Sequence, residues 1–281
     1  MKIYKLNSSI LLEYQDNFYQ LEDESWDSFI NDDYLDEKVK QIASNLSPIS
    51  NSDALLKHEL DAPVVGQELW ASGVTYIRSK QGRQEESAKA GGSDFYARVY
   101  EADRPELFFK ATRNRIVGHG GEVRIRRDSN WDVPEPELVL LMSSSGKIIG
   151  YTIGNDMSSR SIEGENPLYL PQAKTYDGCA ALGPCILVAE SPLKGDTNIR
   201  LTIERDNEVV FNDSIAINQI KRGMEELAGF LFRECSFPQG ALLMTGTGIV
   251  PGNDFTLQAG DCISISVDGI GTLTNCVARN T

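Results

Sequence analysis

The chain has 281 residues, 41% hydrophobic and 24% charged, with 27 Lys and Arg against 41 Asp and Glu and a net charge of −14. That length supports one large core, or one main domain with a small appendage. The negative charge excludes nucleic acid and anionic membrane surfaces as partners, since both would be repelled, and no apolar run approaches the roughly 18 residues that cross a bilayer.

Residues 1–65 differ in character from the rest of the chain. Short strand-like pieces, Ile3–Leu6 and Ser9–Tyr14, precede an acidic, helix-prone stretch from Ser25 to Leu46, and Ser47-Pro-Ile-Ser-Asn-Ser has the composition of a linker. The segment is expected to form a small N-terminal domain, its acids a solvated helix face. Polar and acidic residues interrupt any signal-peptide core, which predicts a cytoplasmic protein.

From residue 66 to 281 the chain is dominated by short apolar runs separated by Gly, Pro and Asp. They are Leu138–Met142, Ile148–Ile153, Cys185–Ala189, Ile199–Ile203, Ala241–Met244 and Cys262–Val267. Several alternate with period two, as in Cys262-Ile-Ser-Ile-Ser-Val, and read as strands. Helical candidates are fewer: Glu85–Ala90, a turn at Ser161–Glu163, and Ile217–Phe232. The pattern predicts a mixed α+β domain, mainly β, a folded-over sheet or barrel rather than a doubly wound fold.

The chemistry concentrates between Trp131 and Asp156. Residues two apart on a strand share a face, so Glu135 and Glu137 project side by side, and Lys147–Ile153 reads as a partnering strand that delivers Asp156 at its end. Three converging carboxylates either hold a hard cation such as Mg²⁺, Mn²⁺ or Ca²⁺ or form an exposed acidic strand end. The five cysteines contain no CxxC pair and are expected to be reduced, mostly buried thiols. His58 and His119 lie far apart, which excludes a His-rich metal centre; His119 reads as a solvated turn residue. There is no GxSxG nucleophile elbow. Gly246-Thr-Gly-Ile-Val-Pro-Gly lacks a P-loop lysine and reads as a turn bringing a hydroxyl and backbone amides into a pocket.

An ordered series of motifs carries a family resemblance. Glu135-Pro-Glu is followed by Tyr151-Thr-Ile-Gly-Asn-Asp-Met-Ser-Ser-Arg160, Leu170-Pro-Gln-Ala-Lys174-Thr-Tyr-Asp-Gly and Ala181-Leu-Gly-Pro184. Thr245-Gly-Thr-Gly, Gly260-Asp and Gly269-Ile-Gly-Thr-Leu complete it. Over roughly residues 65–279 the chain resembles the fumarylacetoacetate hydrolase superfamily. Trp70-Ala-Ser-Gly-Val-Thr-Tyr, Arg104-Pro-Glu-Leu-Phe-Phe-Lys110-Ala and Met157 through Pro171 are most similar to its 2-keto-3-deoxy sugar acid dehydratases.

The resemblance implies a β-roll-like catalytic domain and a divalent metal, usually Mg²⁺, on Glu135, Glu137 and Asp156. It also implies Lys174 in the same pocket, a small 2-keto acid as substrate, and a homodimer or homotetramer. The superfamily's C–C hydrolases and oxaloacetate decarboxylases carry a histidine after the early strand to activate water. Here Gly73 to Arg83 has none, which favours a hydro-lyase over those alternatives.

Dehydration needs a cation to stabilise the enolate of the keto acid, a base for the C3 proton and an acid for the departing C4 hydroxyl. Lys174 is a candidate base or a carboxylate clamp. Glu106 is the candidate second proton-transfer group, or the partner of Arg104 or Arg113 in a salt bridge. Thr247, Lys110 and Arg160 are candidate substrate contacts, with Arg160 equally suited to orienting Asp156 or closing an ion pair. Glu163 and Glu165 read as a loop over the pocket, not as ligands, and Cys179 and Cys185 as core.

Overall fold

The structure is a computed structural model, and it describes residues 1–79 and 98–280. The expected helix at Glu85–Ala90 lies outside the described residues. Among those described, the largest sheet has ten strands. Nine follow the spatial order Asn17–Glu22, Ser9–Tyr14, Lys2–Lys5, Ala180–Val188, Ile148–Asp156, Pro136–Met142, Ala241–Met244, Glu68–Gly73 and Glu106–Ala111, and Ile116–Val117 pairs parallel with Ala180–Val188. A five-stranded sheet runs Glu208–Ala216, Asn198–Arg205, Cys262–Val267, Gly271–Arg279 and Glu122–Ile125.

The two sheets pack on each other, with Gly271–Arg279 against Ala180–Val188 and Asn198–Arg205 against Pro136–Met142. Burial follows from that layering. All seven residues of Pro136–Met142 are buried, as an unbroken apolar run requires when both faces are covered. Cys262–Val267 alternates buried and half-buried positions, because only one face of its sheet meets the core.

The N-terminal strand Lys2–Lys5 pairs with Ala180–Val188, Lys2 opposite Leu187 and Ile3 opposite Ile186. The first three strands thus extend the large sheet, and Ile3, Leu11 and Leu12 belong to its continuous core. The acidic stretch forms two helices, Trp26–Ile30 and Leu35–Asn45. Trp26, Phe29, Ile30, Leu35 and Val39 are buried, while the acids stay on the outer face.

Other boundaries moved. The helix expected over Ile217–Phe232 is confined to Met224–Leu231 after a 3₁₀ turn at Ile217–Gln219. Gly223 precedes it, and Glu226 reaches back to the Gly223 N–H at 3.2 Å to satisfy the first turn. The turn at Ser161–Glu163 belongs to a longer helix, Arg160–Glu165. The strand Glu208–Ala216 was not legible: it lies at a sheet edge with most side chains in water, so it lacks the apolar alternation of a half-buried strand.

Candidate metal centre and active site

Strand register assembles the carboxylates. Asp156 N donates to Glu135 O at 2.9 Å, and Gly154 stands opposite Glu137. Directly opposed residues point to the same side of a sheet, so Glu135, Glu137 and Asp156 share one face. They offer oxygens that all lie within 4.8 Å of one another, and all three residues are buried. Gly154 adds no side chain there; a Cβ on it would sit 2.6 Å from Val139 Cγ2 and 2.7 Å from Met244 Cε.

Two lysines and an arginine surround the acids. Lys174, at the end of the short helix Leu170–Lys174 and fully buried, donates to Glu135 Oε2 at 2.7 Å, Asp156 Oδ2 at 3.0 Å and Ser158 Oγ at 2.5 Å. Lys110, also fully buried, lies 2.5 Å from Asp156 Oδ1 and donates to the carbonyls of Met157, at 3.0 Å, and Lys174. Arg160 donates from Nη2 to Glu135 Oε1 at 3.0 Å. It thus closes a buried ion pair with Glu135.

Among the described residues, Glu137 is the acid without a lysine of its own. It accepts a 2.5 Å hydrogen bond from the backbone N–H of Gly246. Burial first, and then the charges of Asp156 and Glu135, push its carboxyl well above the usual carboxylate range. Asp156 goes the other way: burial raises it, but the ammonium groups of Lys110 and Lys174 outweigh that and hold it below the ordinary value. The centre as built thus resists a third negative charge, and a divalent cation among the three oxygens would remove the resistance. Hard carboxylate donors at this spacing fit Mg²⁺ or Mn²⁺.

The Thr245-Gly-Thr turn closes one side. Gly246 has φ of +92°, and a Cβ there would lie 2.0 Å from Thr75 Oγ1. Thr75 and Ser72 in turn donate to the carbonyls of Thr245 and Met244 at 2.8 and 2.9 Å. Thr247 lines the cleft beside Glu137, and its hydroxyl donates to Ile249 O at 3.1 Å. Val74, a non-glycine residue at φ of +54°, also lines it; that conformation is costly for a β-branched side chain and concentrates at functional sites.

Glu106 stands opposite Gly73 on the neighbouring strand, and its Oε2 is buried with no hydrogen-bond partner among the described residues. Neither expected arginine takes it: Arg113 pairs with Asp61 at 2.6 Å, and Arg104 lies over the Phe230 ring. Glu163 is buried and Glu165 exposed, and neither joins the carboxylate cluster. Sequence reasoning missed Ser72, Val74, Ser79 and Phe108 as cleft residues and Ser158 as a partner of Lys174. For Ser158 the signal was available, two residues beyond Asp156. Neither Lys110 nor Glu106 is among the residues that line the cleft: Lys110 fastens the main chain behind it, and the Glu106 carboxylate lies against Gly73, which does line it.

Residues 77–278 match the fumarylacetoacetate (FAA) hydrolase C-terminal family. The chain belongs to the fumarylacetoacetate hydrolase family. Within this family it is 46% identical over 242 residues to a probable 2-keto-3-deoxyxylonate dehydratase of Haloferax volcanii, covering 85% of this chain and 82% of that protein. It is 41% identical over 254 residues to the 2-dehydro-3-deoxy-D-arabinonate dehydratase of Saccharolobus solfataricus, covering 89% and 84%. Its fold superposes with a TM-score of 0.85 and 36% identity on 2-keto-3-deoxy-D-arabinonate dehydratase complexed with magnesium and 2,5-dioxopentanoate, covering 100% of this chain and 99% of that one. The mainly β, fumarylacetoacetate-hydrolase-like fold read from the motifs is the fold observed.

Proposed function

We propose that the protein is a Mg²⁺-dependent hydro-lyase that dehydrates a 2-keto-3-deoxy sugar acid, such as a 2-keto-3-deoxypentonate, to 2,5-dioxopentanoate. The buried trio of Glu135, Glu137 and Asp156 carries this reading, supported by dehydratase relatives at 46% and 41% identity. When bound by these three side chains, the cation supplies a Lewis acid beside the 2-keto acid group.

The remaining chemistry belongs to the side chains. Glu106 presents a buried carboxylate oxygen with no described partner, a ready acceptor for the C3 proton. Lys174 is loaded with three donated hydrogen bonds and serves as the source of the proton that leaves with the C4 hydroxyl. Loss of one proton and one hydroxide, the latter protonated, releases one water, and tautomerisation toward C5 completes the product. Thr247 hydrogen-bonds a substrate hydroxyl from the turn. Lys110 holds Asp156 and the main chain of Lys174 and so sets geometry, while Arg160, which holds Glu135 and lines the cleft, is placed to contact a substrate oxygen as well.

Residues 1–65 are proposed as a small N-terminal domain whose first three strands join the large sheet and share its core. Among the described residues no helix is long and apolar enough to cross a membrane, and five free thiols accord with the cytoplasm, where we place the protein. A homo-oligomer is proposed, with the exposed Val209 and Val210 of the edge strand Glu208–Ala216 as part of its interface. The test of function is a screen of 2-keto-3-deoxy acids with Mg²⁺ and with EDTA: 2,5-dioxopentanoate forms only with metal. Turnover of acylpyruvates or oxaloacetate in place of the sugar acids would overturn the assignment.

A further inference from the structure

The solvent-facing side of the five-stranded sheet brings two thiols together. Cys262, at the start of Cys262–Val267, is the register partner of Cys276 on Gly271–Arg279. The next pair on the same face, Ser264 and Thr274, has its hydroxyl oxygens 3.1 Å apart. Side chains of this parity therefore meet across the strands.

The ladder explains the approach. Val277 N donates to Asp261 O, and Gly260 N to Val277 O, both at 2.8 Å. The Asp261–Val277 step is thus hydrogen-bonded, and the adjacent Cys262–Cys276 step falls on a non-hydrogen-bonded pair. In such pairs the Cα atoms approach to about 4.5 Å, with side chains closest. A disulfide needs Cα atoms about 4.4–6.8 Å apart. Cys276 is exposed and Cys262 half-buried. By contrast, Cys179 and Cys185 are fully buried, and Cys235 is exposed on another segment.

We propose that Cys262 and Cys276 are a modification site, closing to a reversible cross-strand disulfide when the protein meets a peroxide. The exposed Cys276 sulfur attacks the peroxide O–O bond, giving a sulfenic acid and one water. The Cys262 sulfur then displaces the sulfenic oxygen, which leaves as a second water as the S–S bond forms. The two thiols together lose two electrons, and the peroxide is reduced to two waters. The bond staples Gly271–Arg279 to Cys262–Val267 on a different sheet from the carboxylate centre. Reduction by an added dithiol restores both thiols.

The test exposes the full-length protein to graded hydrogen peroxide, in wild-type form and with Cys235→Ser to remove the other exposed thiol. Free thiols are counted, peptides are mapped by mass, and the melting temperature is read before and after dithiothreitol. The expected result is the loss of two thiols per chain and a peptide pair joined through Cys262 and Cys276. The melting temperature should rise by several degrees and return on reduction, with neither change in Cys276→Ser. Peptide mapping of the wild type reads the bond directly, so the result does not depend on that variant folding. Separate oxidation products on the two cysteines, or unchanged thiols at both while Cys235 reacts, would overturn the proposal.

Discussion

The ammonium of Lys110 donates to the main-chain carbonyl of Lys174, so one buried lysine fixes the backbone that presents the other. The same ammonium lies 2.5 Å from Asp156 Oδ1. One group thus ties the end of the helix Leu170–Lys174 to the end of the strand Ile148–Asp156.

Removing that tie leaves a buried carboxylate without one of its cations. Lys110→Met is expected to destabilise the protein by about 3 kcal/mol, the range for breaking a buried pair, read as a lowered urea midpoint. Lys174→Met, which leaves the Lys110 contact to Asp156 in place, should cost less stability and more activity. Equal losses in both properties for both variants would show that the lysines have no separate tasks.

Glu137 gives a prediction in two directions. Its folded value lies above its ordinary one, so without divalent cation its ionisation costs stability. That cost is absent below the ordinary glutamate range and grows as pH rises above it. Glu137→Gln should therefore raise the melting temperature of the metal-free protein at pH 7 and have little effect at pH 4. The same variant should weaken Mg²⁺ binding by about 100-fold or more, the upper end of what loss of a mere outer-shell partner costs, measured by calorimetry.

Asp132 offers a second pH test beside the site. Burial raises its carboxyl from 3.8 to about 6, against the opposing pull of Ser129, Arg279 and Arg126. The folded value exceeds the unfolded one, so the destabilisation is absent below about pH 4, grows between about 4 and 6, and is constant above that. Asp132→Asn should stabilise the protein by on the order of 1 kcal/mol at pH 7 and leave it unchanged at pH 3.5. A gain independent of pH would mean that the asparagine acts through packing alone.

Gly246 has little latitude in its turn. A Cβ at its φ of +92° meets Thr75 Oγ1 at 2.0 Å, and the Thr75 bond to Thr245 O must yield. Gly246→Ala is expected to lower stability by about 2 kcal/mol and to reduce kcat more than KM, because its N–H aims Glu137 rather than the substrate.

Local pattern made the carboxylates legible. Glu135 and Glu137 sit two apart at the head of an apolar strand, and one hairpin places Asp156 opposite Glu135, so period and turn alone bring all three to one face. Lys174 was found through its motif, since a short helix with Pro at its start gives no spacing that points to a strand end. Lys110 was named but its task was not legible: it binds carbonyls of Met157 and Lys174, 47 and 64 residues away, and no local pattern encodes a backbone contact at that range. The pairing of Lys2–Lys5 with Ala180–Val188 escaped for the same reason. The edge strand Glu208–Ala216 escaped because exposed positions accept polar residues.

Metal-dependent production of 2,5-dioxopentanoate tests the role of Glu135, Glu137 and Asp156 most directly. EDTA-treated protein is titrated with Mg²⁺ in the presence of a 2-keto-3-deoxypentonate, for the wild type and for Glu137→Gln. Product should be absent without metal, appear in proportion to one saturable Mg²⁺ site per chain and, at the Mg²⁺ concentration that half-saturates the wild type, fall in the variant to about 2% of the wild-type rate or less, as a loss of about 100-fold in metal binding requires. An undiminished rate in EDTA, or a wild-type rate in Glu137→Gln at the same Mg²⁺ concentration, would contradict the assignment.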